Sequence, residues 1–163
     1  MKQVYLVRHA KSSWGEPGLA DFDRPLNKRG ERDALRMGER LKEMGVRPDT
    51  IVSSPAKRAL STARTIADAL DYADEIRLNE ILYGAAPDDT LGVVRSTDSG
   101  HDSVMVFGHN PTMTDLVNLV PGFDVGNVPT CAICAIAIDV DDWSAVDLTR
   151  GQLVFYEYPK LQS

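Results

Sequence analysis

Residues 4–14, VYLVRHAKSSW, set an apolar run against an arginine and a histidine, then a lysine and two serines. The continuous apolar character of residues 3–8 is that of a strand covered on both faces, as in a parallel sheet. Arg8 and His9 fall where such a strand leaves the sheet. Both are costly to bury and both suit a phosphate. After an irregular segment, a helix is expected from near Asn27 to Met44, because Ala34, Met37, Leu41 and Met44 recur at helical spacing. Gly45 ends it and Pro48 prevents its return.

The same change of period occurs twice more. In TIVSSPAKRALSTARTIADAL, residues 50–53 read as a short strand, with Ser54 as helix N-cap and Pro55 at the first helical position. Leu60, Ala63, Ala67 and Leu70 would form the buried stripe, which places Arg58 near the first turn and the positive end of the helix dipole. In SVMVFGHNPTMTDLVNLV, a strand over about 103–107 runs into Gly108, His109 and Asn110, and a helix follows Pro111. Met113, Leu116, Val117 and Val120 make its inner face. Residues 132–139 and 152–158 read as two further strands. Repeated β-α units predict an α/β fold with a mostly parallel central sheet covered on both faces.

Arg8, His9, Arg58 and His109 would all then lie beyond the carboxyl ends of parallel strands, where open α/β sheets bind ligands. Any one of them alone reads more readily as structural. Two of the three histidines at equivalent strand-to-helix junctions, however, are not an arrangement that packing favours. His101, in the polar stretch DSGHDS, serves as the contrast and reads as a solvated loop residue.

A chain of 163 residues with 43% hydrophobic content suffices for one core, so one domain over 1–163 is expected. A formal charge of −6 argues against a nucleic-acid footprint, which needs a basic face to displace counterions. No apolar run is long enough for a membrane span or a signal peptide, which leads to a cytoplasmic expectation. Cys131 and Cys134 form a C-x-x-C, but in a strand a separation of three sends the sulfurs to opposite faces, and no second pair completes a metal site. Ser12, Ser13, Ser53 and Ser54 lack a nucleophile elbow. No histidine cluster supports a metal, and no glycine-rich motif supports a nucleotide cofactor. Neither a metal nor a cofactor is expected.

LVRHAKSSW, DFDRPLNKRG, SSPAKRALSTA, LYGA and VFGHNP, in this order, resemble the histidine phosphatase superfamily, and within it the SixA-like phosphohistidine phosphatases. The resemblance runs from residue 3 to about 140. It implies a three-layer α/β/α sandwich of phosphoglycerate mutase-like fold, with His9 as nucleophile and Arg8, Arg58 and His109 completing a phosphate pocket. It also implies metal-independent hydrolysis through a phosphohistidine on His9. Glu80, in RLNEILYGA, is the nearest counterpart of the proton-donating glutamate of larger members.

Chemistry adds the roles. A neutral His9 needs one ring nitrogen fixed by a hydrogen bond, with a backbone carbonyl as the expected partner. His109, placed among phosphate oxygens, is expected in its protonated, donating form. Lys11, Arg24 and Asn110 are candidate substrate contacts at the rim, although Arg24 could equally anchor the loop through Asp21 or Asp23. A leaving imidazole departs with little acid help, so protein phosphohistidine is the leading substrate. The alternatives are a phosphatase for small phosphomonoesters, a mutase, and a non-catalytic module that binds phosphorylated partners. Oligomeric state is not readable.

Overall fold

Val4 and Leu6 face one side of the first strand and Tyr5 and Val7 the other, and all four are buried. Successive side chains of a strand point to opposite faces, so only cover on both can satisfy this one. The computed structural model describes residues 1–14 and 16–162. Along the chain run β1 (Lys2–Arg8), α1 (Lys28–Glu43), β2 (Thr50–Ser53), α2 (Lys57–Ala69), β3 (Arg77–Leu78), α3 (Pro87–Arg95), β4 (Ser103–Gly108), α4 (Thr112–Val117), β5 (Ile133–Ile138) and β6 (Gln152–Glu157). Short 3-10 turns connect several of them.

The strands form one sheet in the order β3-β2-β4-β1-β5-β6. β1 pairs in parallel with β4, β4 with β2, and β2 with β3. β5 alone is reversed, pairing antiparallel with β1 and β6. The mostly parallel sheet is thus as expected. Ala34, Met37 and Leu41 of α1, with Ala63, Ile66 and Ala67 of α2, pack on one face against Tyr5, Val7, Met105 and Phe107. Leu91 and Val94 of α3, Leu116 and Val117 of α4, and Trp143 close the other face over Val4, Leu6, Val104 and Val106. Each large side chain buried this way contributes about 1.5–3 kcal/mol over leaving it in water. The three-layer sandwich follows from that two-sided burial.

Several expectations change in detail. Met44 does not belong to the α1 stripe: it is the C-cap, 40% exposed, and Gly45 at φ +77 turns the chain away. Leu60 and Leu70 are only half-buried, because the packed face of α2 is rotated onto Ala59, Thr62, Ala63 and Ile66. α2 begins at Lys57 with Ala56 as its N-cap, so Pro55 lies ahead of the helix and Ser54 caps only the preceding turn, accepting from Ala56 N–H at 3.2 Å. β3 and α3 were not expected: β3 has two residues, both exposed, and gives no periodic signal. The two cysteines are free and buried in opposite clusters, as the odd spacing requires, although Cys131 precedes β5.

Candidate active site

β2, β4 and β1 are neighbours in the sheet and end in step, Arg8 opposite Gly108 and Ser53 opposite Phe107. Their following turns therefore open side by side. His9 N–H donates to Gly108 O at 3.1 Å, and Cys131 N–H, arriving ahead of β5, donates to both Arg8 O and His9 O. Ala10 N–H donates to Thr62 Oγ1 at 3.0 Å, and Thr62 Oγ1 donates to Arg58 O at 2.8 Å. One threonine on α2 thereby ties the backbone after His9 to the helical turn that carries Arg58.

The rings of His9 and His109 lie 5.2 Å apart, centroid to centroid, close enough for one tetrahedral anion to touch both. His9 is 7% exposed, and its Nδ1 is 2.7 Å from Ala10 O. A carbonyl can only accept, so Nδ1 carries the proton and Nε2 is left with a lone pair. Burial pushes the His9 pKa down to about 3; nearby His109, Arg58 and Arg8 add to this against the opposing hydrogen bond to Ala10. His109 Nε2 is 2.8 Å from Ser54 Oγ. Burial, then Arg58 and Arg8, push its pKa down to about 4, with Asp21 opposing. Among the protein's own groups His109 is therefore neutral at neutral pH, and the imidazolium expected among phosphate oxygens belongs to the filled pocket. Buried beside two guanidiniums, a second cation is disfavoured until an anion enters.

The two arginines are held differently. Arg8 donates through NH1 to Val128 O at 2.9 Å, while its Nε is buried without a partner among the described residues. Arg58, 7% exposed, donates to Asp21 O at 2.6 Å and to Asp21 Oδ2 at 3.0 Å. Tyr83 donates its hydroxyl to the same Oδ2 at 2.7 Å and packs edge-on against both His109 and Phe22. The hydrogen bond from Tyr83, helped by Arg24 and Arg58, holds the Asp21 carboxyl well below the usual carboxylate range. His109 Nδ1 is also buried without a partner among the described residues. A buried unpaired donor such as Arg8 Nε costs about 1–3 kcal/mol, so it suits an acceptor-rich ligand.

The remaining candidates separate. Arg24 is the loop anchor: Nε donates to Ser13 O, NH1 to Asp21 Oδ1 and NH2 to Ser12 Oγ. Asn110 spends its amide on Val128 O and Asn127 Oδ1 and its oxygen on Thr114, which braces the loop that also receives Arg8. Lys11 is half-buried, and its carbonyl accepts from Asn27 N–H. Glu80 is exposed in a 3-10 turn, and no described hydrogen bond or ion pair joins its side chain to the pocket. His101 is half-buried, and its carbonyl accepts from Lys2 and Trp143. Asp21 as partner of Arg58, together with Tyr83, Thr62 and Ser54, are the site residues that sequence reasoning passes over. The only signal for Tyr83 and Thr62 is membership of the LYGA and SSPAKRALSTA stretches. Among the described residues no group of three His, Cys, Asp or Glu side chains could hold a metal ion, and no helix is long and apolar enough to cross a membrane.

Paired histidines and arginines over the carboxyl ends of a parallel sheet define an α/β protein built to handle an oxyanion. The chain belongs to the histidine phosphatase superfamily, whose branch 1 model matches residues 4–92. The superfamily consists of enzymes that pass a phosphoryl group through a catalytic histidine. Among solved structures, the fold matches the Agrobacterium tumefaciens protein assigned as the phosphohistidine phosphatase SixA, with a TM-score of 0.84 and 29% identity over 97% of this chain and 98% of that one. It also matches the protein histidine phosphatase SixA complexed with tungstate, with a TM-score of 0.79 and 26% identity over 99% of each chain. An uncharacterized protein of Mycobacterium tuberculosis H37Rv is 32% identical over 165 residues, covering 94% of this chain and all of the relative.

Proposed function

We propose that this protein is a metal-independent phosphatase that takes a phosphoryl group onto His9 and acts on protein phosphohistidine. The observation that carries the reading is the hydrogen bond from His9 Nδ1 to Ala10 O, which leaves Nε2 as a neutral lone pair near the Arg8 and Arg58 guanidiniums. A neutral nucleophile avoids the repulsion that a carboxylate or thiolate would meet from a phosphoryl group carrying nearly two negative charges. In the first step Nε2 forms a bond to phosphorus as the bond to the leaving group breaks, and the bonding pair departs with that group. Water then attacks phosphorus from the vacated side, the N–P pair returns to Nε2, and phosphate leaves with the water's oxygen and both of its protons. Arg8 and Arg58 follow the charge on the equatorial oxygens, and His109 donates an N–H to one of them. The tungstate carried by the SixA neighbour is a tetrahedral oxyanion, which supports this use of the pocket.

The substrate class follows from what the pocket offers a leaving group. Asp21 is the carboxyl tied to Arg58 and Tyr83, and it is held ionised, so it has no proton to give. Glu80 is exposed and makes no described contact with the histidines. An alkoxide leaving group needs an acid there, whereas the imidazole of phosphohistidine does not. Lys11 fits a rim position from which it could meet a phosphorylated partner, and one domain over 1–163 is the unit proposed to carry the activity. The test compares turnover of a phosphohistidine-bearing protein with that of a panel of sugar and nucleotide monophosphates, for the wild type and His9→Ala. The reading expects an acid-labile phosphoryl label on the wild type, none on His9→Ala, and faster turnover of the phosphoramidate. Turnover by His9→Ala at the wild-type rate, or a preference for phosphoesters, overturns it.

A further inference from the structure

The proton count between Ser54 and His109 closes. Ser54 is 0% exposed, so its hydroxyl proton cannot turn to bulk water. Its oxygen accepts from Ala56 N–H and lies 2.8 Å from His109 Nε2. The neighbouring Ser53 hydroxyl is turned to the Ser54 carbonyl. A serine hydroxyl has one proton and two acceptor sites. Among the described contacts of Ser54 Oγ, His109 Nε2 is the one group able to accept, and a buried hydroxyl proton takes the acceptor within reach. A ring nitrogen that accepts is unprotonated, so the neutral ring of His109 carries its proton on Nδ1. Nδ1 is the ring nitrogen that is buried without a partner among the described residues.

We infer that Ser54 is a positioning residue whose hydroxyl donates to His109 Nε2 and so holds His109 in the Nδ1–H form, with that N–H offered to a phosphoryl oxygen. The inference deepens the reaction proposed above and rests on that reading for its catalytic consequence. In the opposite tautomer, Nε2–H would point at Ser54, the serine proton would lose its acceptor, and a lone pair on Nδ1 would face the incoming oxygens. Both histidines thus carry the proton on Nδ1, set by opposite devices. A carbonyl acceptor fixes the proton on His9 Nδ1 and leaves a lone pair on Nε2. A hydroxyl donor occupies His109 Nε2 and leaves an N–H to offer. Two neutral imidazoles, 5.2 Å apart, are thereby assigned opposite jobs.

Nitrogen NMR of the full chain with isotope-labelled histidine reads the tautomer directly, the His109 resonances being assigned by their loss in His109→Asn. The expected wild-type spectrum has His109 Nδ1 protonated and Nε2 as a hydrogen-bonded acceptor. Ser54→Ala should give mixed tautomers and lower kcat about tenfold, the scale of one hydrogen bond, with KM held within about twofold. Ser54→Thr, which keeps the hydroxyl, should keep the Nδ1–H signature and recover most of the turnover. An Nε2–H signal from His109 in the wild type overturns the assignment, as does a Ser54→Ala protein with both tautomer and kcat unchanged. If Ser54→Ala fails to fold, the wild-type and Ser54→Thr spectra still decide. A wild type with the expected spectrum but no turnover of any phosphoramidate would sink the proposed reaction and leave the tautomer assignment standing.

Discussion

Thr62 shows how much of the pocket is held by one side chain. Its hydroxyl accepts from Ala10 N–H and donates to Arg58 O, so the loop after His9 and the helical turn that carries Arg58 share a support four residues along the helix from Arg58. Thr62→Val keeps the shape and leaves Ala10 N–H buried and unpaired. The expected cost is about 1–3 kcal/mol in urea unfolding, together with a fall in kcat, since Ala10 also supplies the carbonyl that orients His9. A stability within experimental error of wild type would show the threonine to be dispensable. Arg8, His9, Arg58 and His109 are legible in the sequence because each stands at a strand-to-helix switch, where local pattern alone marks the position. Asp21 is not, because its pairing with Arg58 spans 37 residues and that with Tyr83 spans 62. Ser54 reads as a cap from its immediate neighbours, and its bond to His109 spans 55 residues. The protonation of His109 is equally a property of assembled burial and charge.

At the scale of elements, the entry of α1 is fitted against the loop that follows His9. Asn27 caps the helix by accepting from Gly30 N–H at 2.8 Å, and a Cβ built on Gly30 would stand 2.0 Å from Lys11 O. No side chain fits there without pushing the helix off the backbone two residues after His9. Gly30→Ala is therefore expected to lose about 1–3 kcal/mol of stability by overpacking, measured by urea unfolding, and to lower activity more than its stability loss accounts for. An unchanged midpoint and rate would refute the close fit. α1, β1, β2 and β4 are legible because their apolar periods are long or unbroken. β3, with two exposed residues, carries no period, and α3 is a short helix of 9 residues whose start is marked only by Pro87 and the acidic Asp88 and Asp89. The buried face of α2 follows side-chain size: Ala59, Thr62 and Ala63 are buried, and the larger Leu60 and Leu70 are left at the margin.

For the whole molecule, the buried histidines couple folding to acidity. His9 and His109 have pKa values of about 3 and about 4 in the fold, below the usual 6.5. The unfolded chain binds these protons first as pH falls, so their neutral burial is no liability above about 6.5 and costs progressively more stability between about 6.5 and 3. Asp21, held low by its partners, acts in the same direction once pH falls through the ordinary carboxylate range. Tm should therefore drop from pH 7 to pH 4, and the drop should flatten in a His9→Asn, His109→Asn double variant, as read by calorimetry. An equally steep double variant would place the acid sensitivity elsewhere. The carboxylate of Asp21 has a further consequence for encounter with substrate. It serves as a resident counterion to Arg58, and the chain as a whole carries −6, so little positive field extends into solvent to draw an anion in. Between about 0.01 M and about 0.15 M ionic strength, where the screening length shrinks from about 30 Å to about 8 Å, kcat/KM should hardly change, and Asp21→Asn should make it fall with added salt. Recognition in this protein is then decided at contact range, after collision.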